Sequence, residues 1–145
     1  MRLVKHVLDR KGRDVHCVGP DATVFEALQK MAEHDVGALV VVDPRGTLVG
    51  IVSERDYARK VILKGRVSKD TPVCEIMATG VVCVSPDHSE QTCMALMTKH
   101  RIRHIPVIDE GRLAGIVSIG DVVSTIIEDQ QLTIEQLEHY ISGSR

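Results

Sequence analysis

The 145-residue chain has little aromatic content and no concentrated charge of either sign. It contains one Phe, two Tyr and no Trp, so it lacks the stacking platforms on which proteins bind single-stranded nucleic acid. The formal net charge of -2 also argues against duplex binding, because a duplex requires a concentrated basic face. We therefore expect no nucleic-acid partner.

Long apolar runs and paired cysteines are missing as well. The longest apolar run, residues 37–42, is far too short to span a bilayer, and no apolar N-terminal run resembles a signal peptide. The cysteines, Cys17, Cys74, Cys83 and Cys93, form no CxxC pair. We expect a cytoplasmic protein with reduced thiols and no membrane contact.

Common catalytic and metal-binding motifs are also absent from the sequence. There is no GxGxxG after a strand, no phosphate-loop lysine motif, no GxSxG elbow and no HExxH. The seven histidines and four cysteines show no spacing typical of metal ligands. We expect neither catalytic residues nor a metal site. A small enzyme that turns over a nucleotide remains an alternative.

The sequence does contain one distinctive stretch, which occurs twice. Residues 50–56 read Gly-Ile-Val-Ser-Glu-Arg-Asp and residues 115–121 read Gly-Ile-Val-Ser-Ile-Gly-Asp. The apolar residues predict a short buried strand, and Ser53 is suited to cap the helix that follows, where free N–H groups attract a phosphate. Asp56 can accept two hydrogen bonds from the hydroxyls of a ribose. The alternative is that both side chains only cap the helix.

The two stretches belong to an internal repeat. Cys83 follows Cys17 by 66 positions, and after the loss of one residue Gly115 follows Gly50 by 65. The pattern predicts strand 15–18, a helix after Thr23, strands 37–42 and 48–52, helix 57–64, and a connector 65–80 with a helical turn from Pro72. Further amphipathic helices are predicted at 2–9 and 132–141.

Each copy runs strand, helix, strand, strand, helix and ends on Gly-Ile-Val-Ser-x-x-Asp, a pattern that resembles the CBS domain, named for cystathionine β-synthase. The likeness covers roughly residues 10–130. It implies an α/β (α+β) fold of two pseudo-symmetric repeats packed through their sheets, with extra N- and C-terminal helices. We place the first repeat with its helix at 1–66, and the linker and second repeat at 67–145.

The resemblance also implies a function. CBS pairs are typically regulatory modules that bind adenosine compounds between the repeats and often dimerise, and we expect no catalytic domain attached to this pair. We expect AMP first, then NAD through its AMP half, ATP or ADP, with S-adenosylmethionine as a further family ligand. A homodimer and an unidentified regulated protein are the expected partners. The alternative is a ligand-free dimerisation scaffold.

Two pockets follow from the resemblance, one at each repeated stretch. The first would use Ser53, Arg55, Asp56, Gly37, Ala38, Val82, Arg103, His104, Ile105 and Pro106. The second would use Ser118, Asp121, Lys11, His16, Val36, Gly37, Ala38, Arg103 and His104. Gly120 stands in the second copy where Arg55 stands in the first, so only the first stretch carries its own phosphate-pairing guanidinium.

Several of these residues also have a plain structural interpretation. His104 is either a pocket contact or a core histidine, and His34 and His100 suit helix ends, where an imidazole helps to satisfy the last carbonyls. Met31, Met94 and Met97 lie on the helices 24–32 and 91–99. Those helices are predicted to form a dimer face with the helices after the repeated stretches, although these methionines suit an internal core equally well.

Overall fold

The mixed helix-and-strand architecture predicted from the sequence is confirmed. The computed structural model describes residues 2–143, without the side chains of 132–134 and 140–143. Its elements are α1 Val4–Lys11, β1 Cys17–Val18, α2 Val24–His34, β2 Ala38–Val42, β3 Leu48–Ser53, α3 Glu54–Tyr57, α4 Glu90–His100, β4 His104–Asp109, β5 Arg112–Ser118 and α5 Ile119–Gly143. A π-helical turn, Ala58–Ile62, continues α3, and the connector holds 3₁₀ turns at Ser68–Asp70 and Val73–Glu75.

Each repeat contributes one small sheet. In the first, β1 runs parallel to β2 and β2 pairs antiparallel with β3, whereas the second contains the antiparallel pair β4 and β5. Val84 takes the place of a third strand there, with a single parallel bridge to Val107. Val41 pairs with Gly50 and Val107 with Gly115, so the sequence repeat is also a repeat of register.

Along the strands, successive side chains point alternately into the core of their own repeat and toward the face between the two repeats. Leu39 of β2 is buried in the core of the first repeat, and Ile105 of β4 is buried in the core of the second. Their neighbours Ala38 and His104 therefore lie on the opposite face of each sheet. A Cβ atom on Gly37 would lie 3.7 Å from the His104 ring, so the two sheets approach each other through these faces.

Each core also contains side chains from a segment outside its own repeat, namely the segment that comes just before the other repeat in the chain. Helix α1 packs Leu8 into the core of the second repeat, and the connector packs Val73 and Ile76 into that of the first. Gly115 permits the contact with α1, because a Cβ atom there would lie 2.8 Å from Leu8 Cδ2. The two repeats therefore depend on each other for packing, while the division of the chain at residues 66 and 67 stays a prediction.

The helices after the repeated stretches differ from the prediction. The first begins at Glu54 rather than at residue 57, because Ser53 caps it. The second runs unbroken from Ile119 to Gly143, so the predicted tail helix 132–141 continues α5. Leu137 is exposed. The side chains of three further predicted apolar positions, Leu132, Ile134 and Ile141, lie outside the described residues.

The methionines divide between the two roles considered for them. Met31 and Met97 are buried in the cores of the first and second repeats, respectively. Met94 is 37% exposed on α4, and Ile119, Val123 and Ile127 are exposed at four-residue intervals on α5. Only Met94 of the three is therefore available to a dimer face.

Candidate functional site

The first repeated stretch forms the predicted helix cap. The hydroxyl of Ser53 accepts a hydrogen bond from the N–H of Asp56 at 3.2 Å, and Oδ2 of Asp56 accepts the N–H of Ser53 at 2.9 Å. Oδ1 of Asp56 lies 3.3 Å from Nζ of Lys60. Asp56 also lines a cavity, so capping occupies one carboxylate oxygen without removing the residue from a candidate site.

The second stretch repeats the cap with a different cation. Oδ2 of Asp121 accepts the N–H of Ser118 at 2.8 Å and lies 2.7 Å from Nζ of Lys11, which also donates to the carbonyl of Ile116 at 2.8 Å. Burial favours the neutral carboxyl, but the hydrogen bonds from Lys11 and Ser118 outweigh it and lower the pKa of Asp121. Lys11 therefore holds Asp121 as a carboxylate.

A cleft opens beside the first stretch and is called the first cleft here. It consists of two adjoining cavities of about 410 and 420 Å³, which share Ser53, Arg55, Arg103 and His104. Gly37 and Asp56 each line one of the two cavities. Six residues predicted for the first pocket thus lie together.

Strong positive charge surrounds the first cleft. Arg59, Lys60 and Arg101 line it together with Arg55 and Arg103. Sequence reasoning missed the first three, although Arg59 and Lys60 follow Arg55 and Asp56 by four residues, which places them one helical turn on. Arg101 belongs to the other repeat, and nothing local in the sequence indicates its position.

Arg55 spans the two repeats at this cleft. Its Nη1 donates a hydrogen bond to the carbonyl of Arg101 at 3.2 Å. Arg101 follows α4 in a left-handed conformation, with φ 54°, as Asp35 follows α2 with φ 53°. Arg55 is therefore positioned by the second repeat while it lines a cavity beside the first.

The second cleft has about 410 Å³ and a different lining. The residues predicted for it that line it are Lys11, His16, Val36, Gly37, Ala38, His104, Ser118 and Asp121. Asp14 and Asp35 line it as well, and neither was predicted. The second pocket therefore carries carboxylates that the sequence analysis did not anticipate.

His104 lies between the clefts and lines both. Burial is the main cause that lowers the pKa of His104, with Lys11 and Arg103 acting in the same direction and Asp121 opposing them. The imidazole is therefore neutral at pH 7, and either of its nitrogens can serve as an acceptor. The sequence allowed His104 to be either a core histidine or a pocket residue, and the structure places its side chain beside the clefts.

Some residues predicted for the pockets do not line the clefts. Ile105 is fully buried in the core of the second repeat because it points away from the sheet face that borders the clefts. Pro106 is also buried, and neither it nor Val82 lines either cleft. Two further residues were predicted for both pockets but line one cleft each. Ala38 lines only the second cleft and Arg103 only the first.

The histidines predicted for helix ends have other neighbours. The ring of His34 stacks on that of His16, with centroids 3.7 Å apart and planes 13° apart. His100 lines the first cleft. Among the described hydrogen bonds, neither side chain contacts the last carbonyls of its helix, which the residues in left-handed conformation satisfy instead.

The buried cysteines and the metal-ligating side chains of the described residues offer no further site. Burial raises the pKa of the Cys17 and Cys83 thiols and, with Glu90, raises that of Cys93 to about 11, so these thiols are poor nucleophiles. Within the described residues, no three His, Cys, Asp or Glu side chains group together as metal ligands. No helix in that part of the chain has the length and apolarity needed to cross a membrane.

Two small sheets that meet across a pair of pseudo-equivalent clefts define a tandem pair of repeats, and the sequence profile of the CBS domain matches residues 4–63 and 73–128. The chain belongs to the CBS-domain family.

Three relatives illustrate the likeness. The mitochondrial CBS domain-containing protein CBSX3 of Arabidopsis thaliana is 46% identical over 127 residues, which are 85% of this chain and 62% of that protein. A CBS-domain protein of Burkholderia ambifaria assigned to signal transduction is 49% identical, with TM-score 0.85 over 88% of this chain and 96% of that one. The CBS pair of MJ0100, solved with 5′-methylthioadenosine and S-adenosylmethionine, is 26% identical, with TM-score 0.79 over 89% and 98%.

Proposed function

We propose that this CBS pair is a regulatory module that binds an adenosine nucleotide in the first cleft, with AMP as the first choice and NAD, ADP or ATP next. The observation that carries the proposal is the placement of Ser53, Arg55 and Asp56 around one cavity between the repeats. The adenosine ligands of MJ0100 support the same ligand class. The regulated protein is unidentified, and catalysis by the pair is not part of the proposal.

The three side chains have separate tasks in this proposal. Asp56, which lines the cavity, accepts the ribose hydroxyls. The helix cap uses its Oδ2, and Oδ1, which lies 3.3 Å from Nζ of Lys60, has a further lone pair for a hydroxyl. Arg55 pairs with the phosphate, because its guanidinium donates one hydrogen bond to Arg101 and keeps further N–H groups free for a ligand. Binding between the repeats would bias their relative placement, which is how the module would signal.

The test compares adenosine with AMP by calorimetry. Arg55→Ala should weaken AMP by about 1.5 to 3 kcal/mol, because a charge-assisted bond is lost, and should weaken adenosine much less. Lys64→Ala is the matched control, since Lys64 is an exposed cation nearby that lines neither cleft. Equal losses for both ligands in Arg55→Ala would mean that Arg55 only braces the repeats through Arg101.

A ligand-free scaffold is the second candidate, and one observation favours it. Ser53 and Asp56 satisfy each other in a reciprocal helix cap, as Ser118 and Asp121 do, which is a structural role that needs no ligand. Thermal shift measurements across AMP, ADP, ATP, NAD and S-adenosylmethionine separate the candidates. Unchanged melting temperatures with all five compounds would favour the scaffold.

We also propose a homodimer through α4 and α5. Met94 on α4 and Ile119, Val123 and Ile127 on α5 are exposed apolar side chains on two helices that pack together, and a second copy would remove them from water. Sedimentation of the purified protein at tens of micromolar tests it, and a monomer alone would reject the dimer. A cytoplasmic location stays a prediction.

A further inference from the structure

The two clefts carry opposite charge although they are pseudo-equivalent. Five cationic side chains line the first cleft against two carboxylates, Glu54 and Asp56. Three carboxylates, Asp14, Asp35 and Asp121, line the second. Among its described lining residues, Lys11 is the one Lys or Arg, and it already pairs with Asp121 at 2.7 Å.

We propose that the first cleft is specific for an adenosine nucleotide with a polyphosphate chain, and that the second cleft rejects phosphate and accepts an uncharged or cationic adenosine derivative. The proposal rests on the proposed function but changes its order of ligands, because it places ADP and ATP ahead of AMP in the first cleft and assigns a different ligand class to the second. The different charges of the two clefts explain the different ligands. The walls of each cleft partly exclude water, which strengthens the electrostatic field of the side chains that line it.

The cations of the first cleft exceed what one phosphate needs. Arg55 and Lys60 each have a protein partner, the carbonyl of Arg101 and the carboxylate of Asp56. Arg59, Arg101 and Arg103 form no ion pair with a carboxylate among the described residues. Three guanidinium groups around one cavity repel each other, and a polyvalent anion between them removes that repulsion.

The residues that carry this charge come from both repeats. Arg59 follows Arg55 by one helical turn, whereas Arg101 and Arg103 lie between the end of α4 and the start of β4. A monophosphate that pairs with Arg55 does not balance the charge of the other guanidinium groups, whereas a second and third phosphate add negative charge in the same cavity. The number of phosphates is therefore predicted to increase affinity stepwise from AMP to ATP.

In the second cleft, the positions equivalent to Arg55 and Arg101 carry no positive charge that could pair with a phosphate. Gly120 replaces Arg55, and Asp35 lines the cleft at the position equivalent to Arg101, after the helix that matches α4. Asp14 adds a second carboxylate that pairs with no cation among the described residues. A phosphate placed there would face like charge, which costs free energy in a partly enclosed site.

The experiment is calorimetry of adenosine, AMP, ADP and ATP in magnesium-free buffer at two salt concentrations. ATP should bind one site per chain at least about tenfold more tightly than AMP, and adenosine should bind two sites. The ATP preference should fall as salt rises, because exposed charges are screened. Equal affinities of AMP and ATP, or two equal ATP sites, would overturn the inference. Failure of all four compounds to bind would instead reject the proposed function.

Two double variants test the assignment of charge. Arg59→Gln with Arg101→Asn should reduce the ratio of ATP to AMP affinity toward one, and Asn tolerates the left-handed conformation at 101. Asp14→Asn with Asp35→Asn should add a second ATP site per chain. Lys99→Gln and Asp21→Asn are the matched controls, because both residues are exposed and line neither cleft. An unchanged ATP ratio in the first variant, with an unchanged melting temperature, would contradict the proposal.

Discussion

The two clefts share Gly37 and His104 and repeat the same Ser-x-x-Asp cap, yet the cation beside the aspartate comes from a different place in each. Lys60 reaches Asp56 from the same helical segment, one turn on. Lys11 reaches Asp121 from α1, at the other end of the chain. A duplicated motif can therefore keep its cap and still acquire a different charge, because the cap depends on neighbours in sequence and the lining depends on packing.

The two cores also depend on packing between distant segments, because α1 completes one and the connector completes the other. Truncating a side chain in either core is expected to lower the free energy of unfolding more than any other change considered. Leu8→Ala should destabilise the fold by about 2 to 5 kcal/mol, since Leu8 is buried in the core of the second repeat. Ile76→Ala should cost a similar amount through the first core. Chemical denaturation measures both free energies of unfolding.

The exposed Leu63→Ala is the control for these truncations, because that side chain is 76% exposed and should contribute little. If Leu8→Ala lowered stability no more than Leu63→Ala, α1 would not belong to the second core. The mutual dependence of the two repeats would then be wrong.

The next largest effect concerns the two aspartates. Asp56→Asn keeps the size of the side chain but loses its charge, so adenosine and AMP should both bind the first cleft about 1.5 to 3 kcal/mol more weakly. Asp121→Asn should weaken only the second site. Calorimetry that resolves two sites checks both variants, and a loss at the second site in Asp56→Asn would show that the clefts do not act separately.

The smallest effect is the contribution of Asp121 to stability at acid pH. Its pKa is lower in the folded protein than its ordinary value of 3.8, so the stabilisation is complete above that value and is lost as the pH falls through the folded pKa. The pair with Lys11 is partly exposed, so about 1 kcal/mol or less is expected.

Lys11→Met should remove that part of the acid dependence, and denaturation at pH 7 and pH 3 measures it. Lys5→Met is the matched control, because Lys5 lies on the same helix and pairs with the exposed Asp87 at 3.6 Å. An identical loss between pH 7 and pH 3 in the wild type and in Lys11→Met would exclude the pair as a source of acid sensitivity.

Local chemistry accounts for what sequence reasoning predicted well. The Thr23 and Ser53 caps form because each hydroxyl accepts an N–H three residues on, which depends on nearby residues alone. The strands 38–42 and 48–53 follow from β-branched residues bounded by turns. The strand predicted at 15–18 shrinks to Cys17–Val18, because pairing with β2 rather than propensity sets its length.

The sequence by itself determined the two repeats, their strands and helices, and the Ser and Asp at the two clefts, because repetition, periodicity and capping are properties of neighbouring residues. Only the tertiary structure decided which cation lies beside each aspartate and which repeat α1 completes. It also decided that Arg101 lines the first cleft and Asp35 the second. Those outcomes depend on contacts between residues up to 110 positions apart, such as Lys11 and Asp121, and no local pattern records them.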